Sequence, residues 1–144
     1  MKWGQITWIF LHTLSMKITP EQYPTLKDSL FLLVVMICKA LPCPECSEHA
    51  VHYMKKKTPP ETVELFRLFL WEFHNVVNVN TKKQKVSQEE LNKYKNTDLT
   101  VVFQFVQQSW LHQPYNPNLI PKQIIIKQTL QHTHTWLTSN KLIT

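Results

Sequence analysis

Glycine occurs once among the 144 residues of this chain, at Gly4, where average usage would place about ten. That scarcity excludes whole classes of architecture. Gly-rich phosphate loops, the GxGxxG turn of dinucleotide-binding sheets and primed β-hairpins need backbone with positive φ or very close approach, which glycine supplies. A chain without it folds most readily as helices joined by turns of proline and asparagine. An all-α fold is expected.

The apolar spacing agrees. From Trp3 to about Lys17, Ile6, Ile9, Phe10 and Leu14 form a helical stripe flanked by Trp8 and Leu11. Thr19-Pro20-Glu21-Gln22 reads as a capping box that starts a second helix, which Pro42 stops near Leu41. Cys43 stands as an N-cap and Pro44 as the first residue of a third helix running to about Lys57. Thr58-Pro59-Pro60-Glu61 reads as another capping box, for a fourth helix from Glu61 to about Asn78, and Ser87-Gln88-Glu89-Glu90 as the cap of a short fifth. Beyond Asp98 no acidic residue occurs. There Val101–Trp110 extends the helical pattern, Pro114–Pro121 reads as a loop, and Ile124–Leu137 fits helix or strand equally.

The formal charge of +6 comes from fifteen lysines and the single Arg67 against ten acidic residues. Sequence-specific DNA readers lean on arginine's bidentate fork, so this balance weighs against nucleic acid as a partner. The longest apolar run, Leu30 to Cys38, falls well short of the ~20 residues that span a bilayer. At the N-terminus Gln5, Thr7 and His12 interrupt the apolar residues and no small-residue cleavage site follows, so no signal peptide is read.

Cys43-Pro44-Glu45-Cys46 carries the chemistry. A C-x-x-C at a helix start can close as a disulfide, and the helix dipole and free N–H groups stabilise a thiolate on its first cysteine. Such a dithiol exchanges with partner disulfides near neutral pH. Zinc is a rival, because Cys43, Cys46, His49 and His52 recur every three residues. On one helix, however, the four would spread over about 13 Å and turn by ~60° at each step, so they cannot meet one ion, and no metal site is expected. A thioredoxin-like setting needs a preceding strand, whereas a helical stretch precedes Cys43.

Three motifs in order give a family resemblance: Gly4-x3-Trp8-x2-Leu11-His12-Thr13, Cys43-Pro44-Glu45-Cys46 and His74-Asn75-x-Val77-Asn78. The chain resembles the Erv/Alr flavin-dependent sulfhydryl oxidases over residues 3 to about 95. The resemblance implies a four-helix bundle plus a short fifth helix, holding FAD within residues 1–98, with residues 99–144 as a C-terminal extension for packing or for partner or dimer contact. It implies Cys43 facing a thiol-containing client, Cys46 beside the flavin, and electrons passing to O2 with hydrogen peroxide as product. Gly4, Trp8, His12, His74, Asn75, Val77 and Asn78 would line the cofactor site, Lys83 would reach the FAD phosphates, and Tyr94 would pack on adenine.

Gln5 stands where the family often has arginine, and no second C-x-C or C-x-x-C occurs. This looks like the minimal single-domain form of large DNA viruses. It implies a homodimer that oxidises a separate C-x-x-C or thioredoxin-like carrier directly, in the host cytoplasm, a virus assembly site or the virion. Cys38, on an apolar stretch, reads as a buried inert thiol. The rival function is a non-enzymatic helical binding module that uses the basic C-terminal tail for protein or nucleic-acid contact.

Overall fold

The computed structural model of the chain describes residues 2–114 and 116–144. Six α-helices, and among the described residues no strand, make up the fold: α1 (Trp3–Lys17), α2 (Tyr23–Lys39), α3 (Pro44–Met54), α4 (Val63–Asn80), α5 (Leu99–Leu111) and α6 (Ile120–Ser139). A 3-10 helix, Gln88–Asn96, links α4 to α5. The all-α expectation holds, and Ile124–Leu137, ambiguous by periodicity, lies within helix α6.

Helix α1 lies at the centre, packed by α4, α5 and the 3-10 helix. Its polar residues Thr7, His12, Thr13 and Ser15 are therefore buried beside Ile6, Phe10, Leu11 and Leu14. A helix enclosed on several sides needs partners for these groups. Thr7 Oγ1 donates to Trp3 O and accepts from the buried Trp110 Nε1 of α5 at 2.8 Å. The sole arginine serves the fold as well: Arg67 on α4 donates to Ser15 O and Ile18 O, capping carbonyls that the end of α1 leaves unpaired. Residues 99–144 do not form a free basic tail. Phe103, Val106, Ile126, Leu130 and Leu137 belong to the same buried cluster as Phe10 and Leu33.

Local signals decide the helix starts, with three corrections. Thr19 and Gln22 do exchange hydrogen bonds, Gln22 N to Thr19 Oγ1 at 3.1 Å and Thr19 N to Gln22 Oε1 at 3.0 Å. Thr58, however, caps nothing: α4 begins at Val63, and Thr62 Oγ1 accepts from Leu65 N. Pro59 and Pro60 push the residues before them toward extended backbone, leaving the Pro60 carbonyl to accept from Tyr23 Oη at 2.6 Å. Ser87 makes no side-chain cap, and the fifth helix is of 3-10 type. The Pro114–Pro121 segment is not all loop, since Asn116 caps a short 3-10 turn at Pro117–Leu119 that runs into α6; Tyr115 lies outside the described residues.

The shortage of glycine leaves a mark at helix ends. After α3, α4 and α6 the left-handed residue that normally favours glycine is a lysine: Lys56 at φ 70°, Lys82 at φ 61° and Lys141 at φ 56°. At α6 the following amide closes the end, Leu142 N donating to Leu137 O at 2.9 Å. A Cβ in this conformation costs about 1–2 kcal/mol, part of which glycine returns as unfolded-chain entropy. Lys141→Gly is therefore expected to stabilise the protein by roughly 0.5–1 kcal/mol. Thermal unfolding should show a midpoint higher by about 2–4 °C, and a lowered midpoint would contradict this account of the helix end.

Candidate active site

Cys43 and Cys46 are joined as a disulfide at the start of α3, with their Cα atoms 5.1 Å apart. Pro42 and Pro44 confine the chain on both sides of Cys43, whose extended backbone makes it the N-cap. Its Sγ accepts the Cys46 N–H at 3.2 Å, and Ser47 N donates to Cys43 O at 2.9 Å. A thiolate formed at Cys43 would inherit that N–H and the positive end of the helix. Both cysteines are partly exposed. Cys46, Ala50 and Tyr53 follow one another at i, i+4 and i+7, so Cys46 shares its helix face with the ring that meets α4. Tyr53 stacks on Phe73 with centroids 4.4 Å apart, and Phe73 meets Trp8 edge-on at 5.1 Å.

Trp8 opens a cluster of four rings drawn from three elements. Its indole stacks on His74 of α4 at 4.3 Å, 8° from parallel, and His12 stacks on Tyr94 of the 3-10 helix at 5.2 Å. Between the pairs, His12 Nε2 and His74 Nδ1 share a hydrogen bond of 2.9 Å. Spacing of four on α1 sets Trp8 and His12 on one face, which is why both meet α4. Burial holds the imidazoles neutral. Desolvation first, then His74 and Lys93, brings His12 down to about 3. Desolvation, then Lys83 and Lys93, brings His74 down to about 4.

The asparagines of the third motif organise the chain that follows α4. Asn75 accepts from Val86 N at 2.8 Å and donates to Val86 O at 3.0 Å, and Trp71 Nε1 also reaches Val86 O, at 2.7 Å. Asn78 Nδ2 donates to Gln84 O at 3.1 Å. These bonds fold residues 84–86 back along α4, so the 3-10 helix crosses α1 and lays Tyr94 on His12. An open groove of about 600 Å³ lies beside this loop, between Tyr53 of α3 and Val76 and Lys85.

Trp8, His12, His74 and Tyr94 are thus brought together. Asn75 and Asn78 face the 84–86 loop, and Val77 is half-buried against the core. Gly4, in the first turn of α1, has open space where a Cβ would stand. Lys83 is exposed, with its backbone N–H donating to Asn78 O at 2.7 Å. Cys38 is buried, and burial pushes its thiol up to about 12, as an inert cysteine requires. Sequence reading gives no site role to Tyr53, Lys93 or Phe73, the last of which reads only as a buried residue of the fourth helix. The seven-residue step from Cys46 to Tyr53 was an available signal; the juxtaposition of Lys93 with both histidines was not.

The neutral histidine pair makes stability depend on pH. Both folded values lie below the ordinary value of about 6.5, so between pH 6.5 and 4 the unfolded chain binds more protons and stability falls as pH falls. His12, almost fully buried, should contribute a loss of roughly 1–2 kcal/mol between pH 6.5 and 5. Urea midpoints measured across this range should decline in the wild type and decline less in His12→Gln. Equal slopes would contradict a buried neutral His12.

The profile of the Erv1 / Alr family matches residues 5–97, a span holding every candidate site residue except Gly4. The chain is 30% identical to the FAD-linked sulfhydryl oxidase ERV2 of Saccharomyces cerevisiae, the match covering 56% of this chain and 41% of that protein. It is also 30% identical to the "Putative FAD-linked sulfhydryl oxidase 347L" of Invertebrate iridescent virus 6, covering 56% of this chain and 80% of that one. The chain thus spans less than half the length of the yeast relative and most of the viral one. No solved structure matches significantly. With a family profile covering most of its length and a viral relative matched over most of that protein, the chain belongs to the Erv1 / Alr family.

Proposed function

We propose that this protein is an FAD-linked sulfhydryl oxidase that forms disulfides in a thiol-bearing client protein, passes the electrons to O2 and yields hydrogen peroxide. The observation that carries the reading is a connection. A disulfide capping α3 shares its helix face with Tyr53, which leads through Phe73 to the stacked rings of Trp8, His74, His12 and Tyr94.

Those residues suit a flavin dinucleotide. Trp8 and His74, both partly exposed, offer ring faces for stacking, with His12 and Tyr94 buried behind them as support. Lys83 and Lys93, whose charges help lower the His74 value, would hold the diphosphate of the cofactor. The open space over Gly4 admits close approach. Asn75, Val77 and Asn78 shape the wall, the asparagines by holding residues 84–86. The bound flavin would supply two-electron chemistry between the dithiol and oxygen.

The chain's own residues set up the exchange. A client thiolate attacks Cys43 Sγ, the bond between Cys43 and Cys46 breaks, and its electron pair leaves on Cys46. A second client thiol, deprotonated, then attacks the client sulfur of the mixed disulfide, and Cys43 departs as a thiolate. The Cys46 N–H already directed at Cys43 Sγ favours that departure. The client has lost two electrons and two protons, and the pair holds the electrons as a dithiol. Cys46, on the face toward Tyr53, then delivers them inward.

The client is a C-x-x-C or thioredoxin-like carrier, and the oxidase works as a homodimer in the host cytoplasm, at a virus assembly site or in the virion. Residues 1–98 carry the flavin site, and residues 99–144 back α1 from the opposite side. Among the described residues no helix is long and apolar enough to cross a membrane. Purified protein should consume oxygen with dithiothreitol. Cys46→Ser should lose that activity entirely while keeping bound flavin, and retained turnover in the variant would refute the role of Cys46.

A further inference from the structure

The first turn of α6 reaches the redox motif. Lys122, in the acid-free C-terminal stretch, extends its ammonium to Lys39 O at the end of α2, 2.6 Å away, and to Ser47 Oγ on α3, 2.8 Å away. Ser47 follows Cys46 directly, and its hydroxyl donates to Leu41 O at 3.2 Å. One cation thus joins the end of α2, the start of α3 and, through Ser47, the Leu41-Pro42-Cys43 link between them. The site is half-buried. The ion pairs among the described residues are Lys27 with Glu61 and Lys93 with Glu90, so neither Glu45 nor Glu48 of α3 neutralises Lys122.

Two effects follow from one group. An ammonium on the last carbonyls of α2 complements the negative end of that helix. The same charge stands at the first turn of α3, where reduction of the disulfide creates a thiolate, and a neighbouring lysine favours the thiolate. Stabilising the reduced form makes a disulfide more oxidising.

We infer that Lys122 is a positioning residue for the Cys43–Cys46 disulfide, through which the C-terminal helix holds the α2–α3 link in place and makes the pair more oxidising. The inference rests on the reading of that pair as the redox centre. No signal in the motif announces it, since Lys122 lies 75 residues beyond Ser47.

The test is thiol–disulfide equilibrium of the holoprotein in anaerobic glutathione buffers, with Cys43 and Cys46 scored by alkylation and mass. Lys122→Met should shift the equilibrium about tenfold toward the disulfide, roughly 30 mV for this two-electron couple. It should also move the pH of half-maximal Cys43 alkylation up by about 0.5–1. Lys122→Arg, which keeps the charge, should stay near wild type in both. Lys122→Gln keeps a donor and loses the charge, so it should follow the Met variant and serves in its place should that variant fold poorly. Wild-type values in both neutral variants would overturn the inference, as would an Arg variant shifted as far as Met. A wild-type pair that never cycles between dithiol and disulfide would instead overturn the oxidase reading.

Discussion

The contact on which the rest of the site depends is the closure of Trp8, His12, His74 and Tyr94 on one another. It requires three elements in register. Arg67 ties α4 to the end of α1, which fixes His74 against Trp8 and His12. Asn75 and Asn78 then turn the chain back through residues 84–86, so that the 3-10 helix crosses α1 and delivers Tyr94. On the other side, Trp110 and Phe103 of α5 pack against Thr7 and Phe10. Helix α1 is enclosed from both directions, and Thr7, His12 and Ser15 bond to protein groups because water cannot reach them, while the Thr13 hydroxyl is buried without a partner.

This arrangement changes how the third motif is understood. His74 and Asn78 are four apart and share a face, yet the imidazole meets rings while the amide meets backbone. Asn75 uses both ends of its amide on Val86. The asparagines thus act by shaping the loop of residues 84–86 that closes on the ring cluster. Neutral imidazoles suit the stacked cluster, since a charged ring there would need a counter-ion that the surrounding lysines do not provide.

Much of the helix content was legible because glycine scarcity, the Thr19–Gln22 box and the proline next to Cys43 are local signals. The misplaced starts came from competition between local signals. Thr58 and Thr62 both offer a capping hydroxyl, and the two prolines after Thr58 settle the matter for Thr62. The site residues in α1 and α4 were legible as ordered motifs, but their contacts were not, because ring stacking across three elements depends on crossing geometry. Lys122 and Lys93 were illegible for the same reason. Nor did the missing glycines announce that Lys56, Lys82 and Lys141 would take left-handed backbone, since helix length decides which residue falls there.

The disulfide and the rings are useful to each other only if electrons pass between them. That central claim is tested most directly by anaerobic titration of the purified protein with a dithiol, followed in the visible flavin absorption. The account predicts a protein that purifies with bound flavin, whose colour is bleached by dithiol in the wild type and persists in Cys46→Ser. A colourless protein, or a bound flavin that stays oxidised while Cys43 and Cys46 are reduced, would contradict it.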